Sequence, residues 1–381
     1  MATLTTVLTR RAAGGRPHHK LDLDGSRDLR ILKGPWAKGF AVFLVVLYVA
    51  LPGQVSDHTL RTLCYCGTYA IGAIGLNLLT GFTGQVSLGH AAFMGAGAYC
   101  ASWFGAESGW PFPLYVLAAI VVGLVVGGAI GPFAARLRGN YLAVVTIGLL
   151  FVAHHLFMNW DTVTGGGNGV SVGDASITLG PLDFRALEVN GLEYTFPQAM
   201  FWLIWAFVAL TALIAKNIVR TRPGRALQAI RDRDLSAEII GVHPTRYKVA
   251  AFAIAGACAA VAGVFYALMQ NYVNPNEFTG RTGLFLSITF VAMIIMGGVG
   301  TVYGSILGAL LVEYGRRFIA DNGADAPILG YPVEQGWLST GELNGVLFGG
   351  LIVFFLLVEP RGLAALWMRI RIWFQSWPFS Y

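Results

Sequence analysis

An all-α polytopic membrane protein with about ten transmembrane helices is the fold class this sequence predicts. Three observations carry that prediction. Hydrophobic residues make up 55% of the chain and charged residues only 12%, about half the charged share of an ordinary soluble domain. The apolar residues are gathered into runs that approach the roughly 20 residues needed to cross a bilayer core about 30 Å thick. The 49 glycines are spread through those runs, where small residues let helix backbones approach closely in lipid.

The elements follow in chain order. Residues 1–35 are polar and basic, with Arg10, Arg11, Arg16, Lys20, Arg27, Arg30 and Lys33 against Asp22, Asp24 and Asp28. They lack the early apolar core of a cleavable signal, so they read as a disordered cytoplasmic tail that fixes the N-terminus inside. A membrane domain is expected over 36–360. Its first spans fall at 36–51, closed by Pro52 and Gly53, then at 63–79, with a third beginning near Leu88. The span 114–135 ends at Arg136 and Arg138, which the positive-inside rule places in the cytoplasm. Residues 141–158 return, and the loop 159–197 holds Asp161, Asp174, Asp183, Glu188 and Glu193 against Arg185 alone, an exterior composition. Spans at 200–218 and 249–270 come next, then the turn-rich loop NPNEFTGRTG. Spans at 284–296 and 302–318 flank GGVGT, the acidic segment 319–342 lies outside, and 347–358 is the core of the last span. Residues 361–381 form a cytoplasmic C-terminal tail, so both termini face inward. Arg316 and Arg317 sit against this topology, and either snorkel to the interface or pair with Glu313.

The stretch 220–248, RTRPGRALQAIRDRDLSAEIIGVHPTRYK, is strongly charged and lies between two spans. Ala226, Leu227, Ile230, Leu235, Ile239 and Ile240 recur at helical spacing and leave Arg225, Arg231, Asp232 and Glu238 for the polar faces. Pro223 suits the first turn of a helix and Gly241 its end, which predicts one cytoplasmic helix over 225–241. Two readings fit: a solvated loop that obeys the positive-inside rule, or a coupling helix through which a soluble partner pushes on the spans.

Catalytic patterns are missing from the sequence. No G-x-x-x-x-G-K-[ST] is present and no lysine follows a glycine, so this chain has no phosphate loop for ATP. H-E-x-x-H and paired Cys-x-x-Cys are likewise missing. Cys64, Cys66, Cys100 and Cys258 lie in apolar stretches as buried thiols. Adjacent His154 and His155 point about 100° apart on a helix and have no carboxylate one turn away, which fits a structural or interfacial role and predicts no metal site. The formal charge of +6 comes without an aromatic-interleaved basic patch, so no nucleic-acid partner is expected. The segment from Asn77 through Thr80, Thr83, Gln85 and Ser87 to His90 is unusual, because these polar side chains fall within membrane depth and Gly81 and Gly84 can break the helix there. Irregular backbone in a bilayer is tolerated only when buried in protein or lining a water-filled path. Either those groups line or gate a path, or they hydrogen-bond one helix to its neighbour. The segment also has an echo: Gly81–Val86, GFTGQV, resembles 297–302, GGVGTV, and matching interruptions are common in transporters built from repeats.

GLNLLTGFTGQVSLGHAAFMGAGAY (75–99) resembles the signature of the branched-chain amino-acid ABC-transporter permeases, in particular the larger of their two permease subunits. RLRGNYLAVVTIG (136–148), NWDTVTGGGNGV (159–170), RPGRALQAIRDRDLSAEIIGVHPTRYKVAAFAIAGACAAVAGVFYA (222–267) and VEPRGLAALW (358–367) resemble later blocks of the family, in order. The resemblance implies a permease subunit of an importer in the bacterial plasma (inner) membrane. Its partners would be a second permease, two cytoplasmic P-loop ATPases that hold ATP and Mg, an external solute-binding protein and membrane lipid, with no cofactor in this chain and no enzyme activity of its own. Asn77, Thr80, Gly81, Gly84, Gln85, Ser87 and His90 become the candidates for the translocation path or its gate. Arg225, Arg231, Glu238 and Gly241 become the candidates for ATPase coupling, with Glu238 and Gly241 holding the glutamate and glycine of the family's loop motif.

Competing readings are a stand-alone secondary transporter or channel for a small polar solute, a membrane-embedded enzyme, and the same ABC machinery serving urea, amides, aromatic amino acids or other small carboxylates. The first usually shows buried acids or lysines for ion coupling, scarce in these spans. The second needs a convergent catalytic set that the sequence lacks. Within the third, GFTGQVSLGHAAF is closer to the amino-acid subgroup.

Overall fold

The computed structural model describes residues 35–137, 140–180, 182–189, 192–322, 349–350, 353–354, 357 and 362–376. The expected N-terminal tail, the loop 323–342 and most of the last span at 347–358 lie outside the described residues. The chain divides into two units, 1–47 and 48–381. In the first, the described residues belong to the start of helix α1, Pro35–Ala50, whose Val42, Phe43, Val45 and Val46 are exposed.

The second unit is built from helices α2 (Asp57–Thr83), α3 (His90–Cys100), α4 (Phe112–Arg136), α5 (Asn140–Asn159), α6 (Phe196–Arg220), α7 (Arg222–Asp232), α8 (Asp234–Ile239), α9 (Pro244–Gln270), α10 (Gly280–Gly297), α11 (Val302–Asn322) and α12 (Gly362–Ser376). Six described helices are long and apolar enough to cross a membrane: Asp57–Thr83, Phe112–Ala134, Tyr141–Asn159, Phe196–Arg220, Pro244–Gln270 and Gly280–Gly297. The sequence predicts about ten crossings; the last of these lies mostly outside the described residues, and two others differ for local reasons. Helix α3 is short and passes into a π-helical segment, Ala101–Glu107. Helix α11 carries Glu313, Arg316 and Arg317.

Helices α2 and α9 form the centre. Helix α2 is buried along almost its whole length, and α9 packs against α2, α3 and α4. Small residues make the α4–α9 contact close: a Cβ on Gly123 would meet the Gly256 carbonyl, one on Gly127 the Phe252 carbonyl, and one on Gly131 the backbone of Val249. The outer faces of α4, α5 and α6 present Val121, Val125, Val144, Phe151, Leu210 and Leu213. Such apolar surface suits hydrocarbon rather than water.

The expected pairing near the end of α11 is present. The Glu313 carboxylate is 1% exposed and accepts from Arg316 Nε at 3.0 Å, Arg316 Nη2 at 2.9 Å and Arg317 Nε at 2.7 Å. Arg317 also lies over the Tyr65 ring, 3.6 Å from its centroid. Removing one member of a buried ion group leaves the others uncompensated, at a cost of about 3 kcal/mol. Glu313→Gln is therefore expected to lower the thermal unfolding temperature of the detergent-purified protein by several degrees. An unchanged temperature would show that the two arginines are neutralised elsewhere.

The loop between α5 and α6 is not fully irregular. Strands β1 (Val170–Ser171), β2 (Thr178–Leu179), β3 (Leu182–Asp183), β4 (Leu187–Val189) and β5 (Leu192–Tyr194) form there, with β2 paired to β3 and β4 to β5. Strand β1 instead pairs antiparallel with β6 (Tyr272–Val273), Val170 opposite Val273, tying this loop to the connection after α9.

Candidate functional site

The break predicted between Gly81 and His90 is present. Helix α2 ends at Gly84, which adopts φ 72° and returns its N–H to Thr80 O. Only a residue free of Cβ strain takes that conformation readily. Helix resumes at His90. Buried backbone groups freed by such a break need partners, and neighbouring helices supply them. Leu88 N–H donates to Thr146 Oγ1 of α5 at 2.9 Å, Ala91 N–H donates to Ser287 Oγ of α10 at 3.0 Å, and Thr80 Oγ1 donates to Gln85 O at 3.0 Å. Sequence reasoning missed Thr146 and Ser287. Each is a lone hydroxyl in an apolar run, and its only signal is that a broken helix elsewhere lacks donors and acceptors.

The candidate path residues fall into two groups. Asn77 is used up by the fold: its amide donates to Thr301 O at 2.8 Å and Ser305 Oγ at 2.7 Å, and its oxygen accepts from Gly300 N–H at 2.9 Å. His90 is fully buried, with Nε2 3.0 Å from Gly72 O, Nδ1 unpartnered among the described residues, and its ring edge-on to Phe290, centroids 4.9 Å apart. Gln85 and Ser87 differ from Asn77. Both are buried, and among the described residues neither the Gln85 amide nor the Ser87 hydroxyl has a side-chain hydrogen-bond partner. Buried polar side chains are ordinarily paired, so two unpartnered groups side by side at the break are unusual.

The two similar glycine segments meet in space. Gly81 abuts both the Asn77 carboxamide and the Gly300 N–H, with no room for a Cβ. Gly298 and Gly300 take φ 124° and 80°, ending α10 as Gly84 ends α2. Arg231 joins this junction from α7: its Nη1 donates to Gly81 O at 2.5 Å and lies beside Gly300. A guanidinium on a carbonyl in the last turn of a helix is favoured both as a charge-assisted bond and by the negative end of the helix dipole.

The charged stretch is helical, as predicted, but not as one helix. Arg233, at φ −159° and ψ 108°, separates α7 from α8. Asp234 begins α8, and its carboxylate is held by the buried Lys248 of α9 at 2.7 Å. That ion pair anchors the chain to α9 where a continuous helix would lift it away. Pro223 lies in the first turn of α7, and Gly241, at φ 86°, follows the end of α8. Ala226, Leu227, Ile230 and Ala237 turn inward, whereas Arg225, Glu238, Ile239 and Ile240 are exposed. Between the α7–α8 corner and the break lies a cavity of about 490 Å³, lined among others by Thr83, Gln85, Arg231, Arg233 and Lys248. It offers a neutral amide and Arg233 beside Asp232, while Lys248 and Asp234 are joined to each other and Arg231 to Gly81 O. His154, by contrast, is engaged in structure, with Nδ1 2.8 Å from Thr279 Oγ1.

A bundle of membrane-crossing helices, a centrally broken helix whose freed backbone finds partners, and an open pocket beside that break fit a multi-pass membrane protein of the transport class. Comparison with known proteins gives the family. This chain belongs to the family described as branched-chain amino acid transport system / permease component, whose model matches residues 58–356. It is 29% identical over 343 residues to the high-affinity branched-chain amino acid transport system permease protein LivM of Escherichia coli (strain K12), an alignment covering 86% of this chain and 74% of that protein. It is 25% identical over 308 residues to the high-affinity branched-chain amino acid transport system permease protein LivH of the same organism, covering 78% and 91%. The probable LivM of Methanocaldococcus jannaschii is 26% identical over 265 residues, covering 66% and 67%. No solved structure matches.

Proposed function

We propose that this chain is the transmembrane permease subunit of an ATP-driven importer for branched-chain or related amino acids. It forms the path with a second permease and is driven by two cytoplasmic P-loop ATPases, which hold the ATP and Mg, while an external binding protein delivers the solute. The permease domain spans 36–360 between cytoplasmic tails at 1–35 and 361–381, in ten crossings of the bacterial inner membrane. Support for the class comes from the family and from the names of the relatives.

The observation that carries the mechanism is the Arg231–Gly81 bond. It joins the amphipathic pair α7–α8 directly to the interrupted helix. Helix α8 ends at Ile239, which with the following Ile240 is 86% and 73% exposed, beside Glu238. An apolar knob with a charged rim fits a groove on a soluble ATPase. Closure of the ATPases displaces α7–α8, Arg231 carries the displacement to the end of α2, and the break between Gly84 and His90 lets the halves on either side move separately. Gln85 and Ser87 then meet the solute, Thr80 and His90 hold the break in shape, and Asn77 clasps the two glycine segments. Arg225 and Gly241 contribute to the ATPase-facing surface.

Secondary transport needs ionisable groups free to exchange ions in the membrane. Glu313 and Lys248, both buried, are each held in ion pairs, which favours the ATP-driven reading; the half-buried Glu277, with no cation beside it, lies in the connection after α9 and outside the spans. Affinity purification of the chain from native membranes in mild detergent tests it. Recovery of a second permease and P-loop ATPases is expected, and Glu238→Arg is expected to abolish ATPase co-purification while leaving membrane insertion intact. Isolation of the chain alone, with ATP-independent uptake into liposomes, would replace this reading with secondary transport.

A further inference from the structure

At the end of the bundle opposite α7–α8, a second set of polar groups lacks partners. The short helical turn Pro275–Phe278 follows β6, and its Glu277 is half-buried. Among the described residues, Glu277 Oε2 has no hydrogen-bond partner and the carboxylate has no cation beside it. Burial pushes the Glu277 carboxyl above its ordinary value, opposed only in part by the Tyr266 hydroxyl within hydrogen-bonding reach. That hydroxyl accepts from Gln270 Nε2 at 3.3 Å, which leaves its own proton for the carboxylate.

Two more oxygens are orphaned on the facing helix. Tyr99, 3% exposed, has an unpartnered hydroxyl within electrostatic reach of Glu277. Ser102, 1% exposed in the π-helical segment that continues α3, also has an unpartnered Oγ. Buried hydroxyls without partners are uncommon and call for a ligand or water. The walls are aromatic: Tyr99 stacks edge-on against Phe157 at 4.9 Å, and Tyr266 against Phe278 at 5.5 Å. The β1–β6 pair and the bond from the Tyr272 hydroxyl to Asn168 O fix the loop alongside.

We propose that Glu277, Tyr99 and Ser102 form an ammonium subsite at the outer mouth of the solute path, one that receives the protonated amine of the incoming amino acid. The assignment rests on the importer reading, which turns this end outward. Its chemistry is complementary. A primary ammonium carries three N–H donors, and Glu277 and Tyr99 offer it two unpartnered oxygens, one of them charged, from two elements, with the unpartnered Ser102 Oγ in the segment beyond Tyr99. Aromatic faces add cation–π attraction. A divalent metal ion prefers six or more oxygen ligands or several carboxylates, and a single carboxylate falls short of that.

The test uses the intact purified complex in wild-type form. A hydrophobic carbodiimide modifies carboxyl groups in half-buried settings, and mass spectrometry reads the labelling of Glu277. Leucine and 3-methylbutylamine are each expected to reduce that labelling about tenfold, the scale of one charged hydrogen bond, whereas 4-methylpentanoate, which lacks the amine, leaves it unchanged. Labelling that leucine does not alter, or that 4-methylpentanoate blocks equally well, overturns the subsite. In proteoliposomes, the near-isosteric variants Glu277→Gln and Tyr99→Phe are expected to assemble normally and lose about ten- to a hundredfold of leucine uptake. Wild-type uptake in both removes the subsite from the path while leaving the importer reading intact. Amine protection of Glu277 in a complex without ATP-driven uptake supports the subsite and overturns the importer reading instead.

Discussion

Arg231→Ala is expected to uncouple ATP hydrolysis from uptake while leaving the chain folded and assembled. The side chain projects from an exposed position on α7, so its loss opens no core cavity, and Ala226, Leu227 and Ile230 still seat the helix. What disappears is a charge-assisted bond to Gly81 O, worth about 1.5–3 kcal/mol. If that bond is made in one access state only, its loss shifts the balance between states about ten- to a hundredfold. Uptake per ATP hydrolysed in proteoliposomes should fall by about tenfold, with co-purification of the ATPases unchanged. Arg231→Lys should recover part of the loss, since an ammonium keeps the charge but not the planar fork. Equal stoichiometry in wild type and Arg231→Ala would assign force transfer to other contacts of α7–α8.

Gly127→Leu is expected to prevent a stable bundle. Helices α4 and α9 approach through Gly123, Gly127 and Gly131, spaced one turn apart, and a Cβ on Gly127 would strike the Phe252 carbonyl and the Ala253 backbone. Backbone cannot rotate out of the way as a flexible side chain does, so the helices must separate, at a cost of about 3 kcal/mol. The neighbouring Gly128 meets only Ala253 Cβ, at 3.9 Å, and Gly128→Leu is the matched control. Size-exclusion chromatography in detergent should show aggregation or loss of protein for Gly127→Leu and a wild-type profile for Gly128→Leu. Similar profiles for both would show that α4 and α9 pack less closely than described.

The same contrast between neighbours separates what the sequence determines from what the tertiary structure decides. Apolar runs and charge placement by themselves define a helical membrane protein, because a bilayer accepts only segments of a given length and polarity. The break after α2 is also legible, since Gly81 and Gly84 stand among polar residues within membrane depth. So is an amphipathic helix opening at Pro223 and closing before Gly241, because caps act within one turn of the residues that signal them. The split at Arg233 is not legible: it follows from Lys248, on another helix, drawing Asp234 towards it. Nor could the sequence separate Asn77, whose hydrogen bonds are consumed by Gly300, Thr301 and Ser305, from Gln85 and Ser87, whose side chains remain unpartnered. All three are polar residues in one segment, and periodicity records only which face of its own helix each occupies. Which face meets a donor, a glycine or a cavity is fixed by how the helices cross, and that geometry brings Gly81, Gly300 and Arg231 together from three distant parts of the chain.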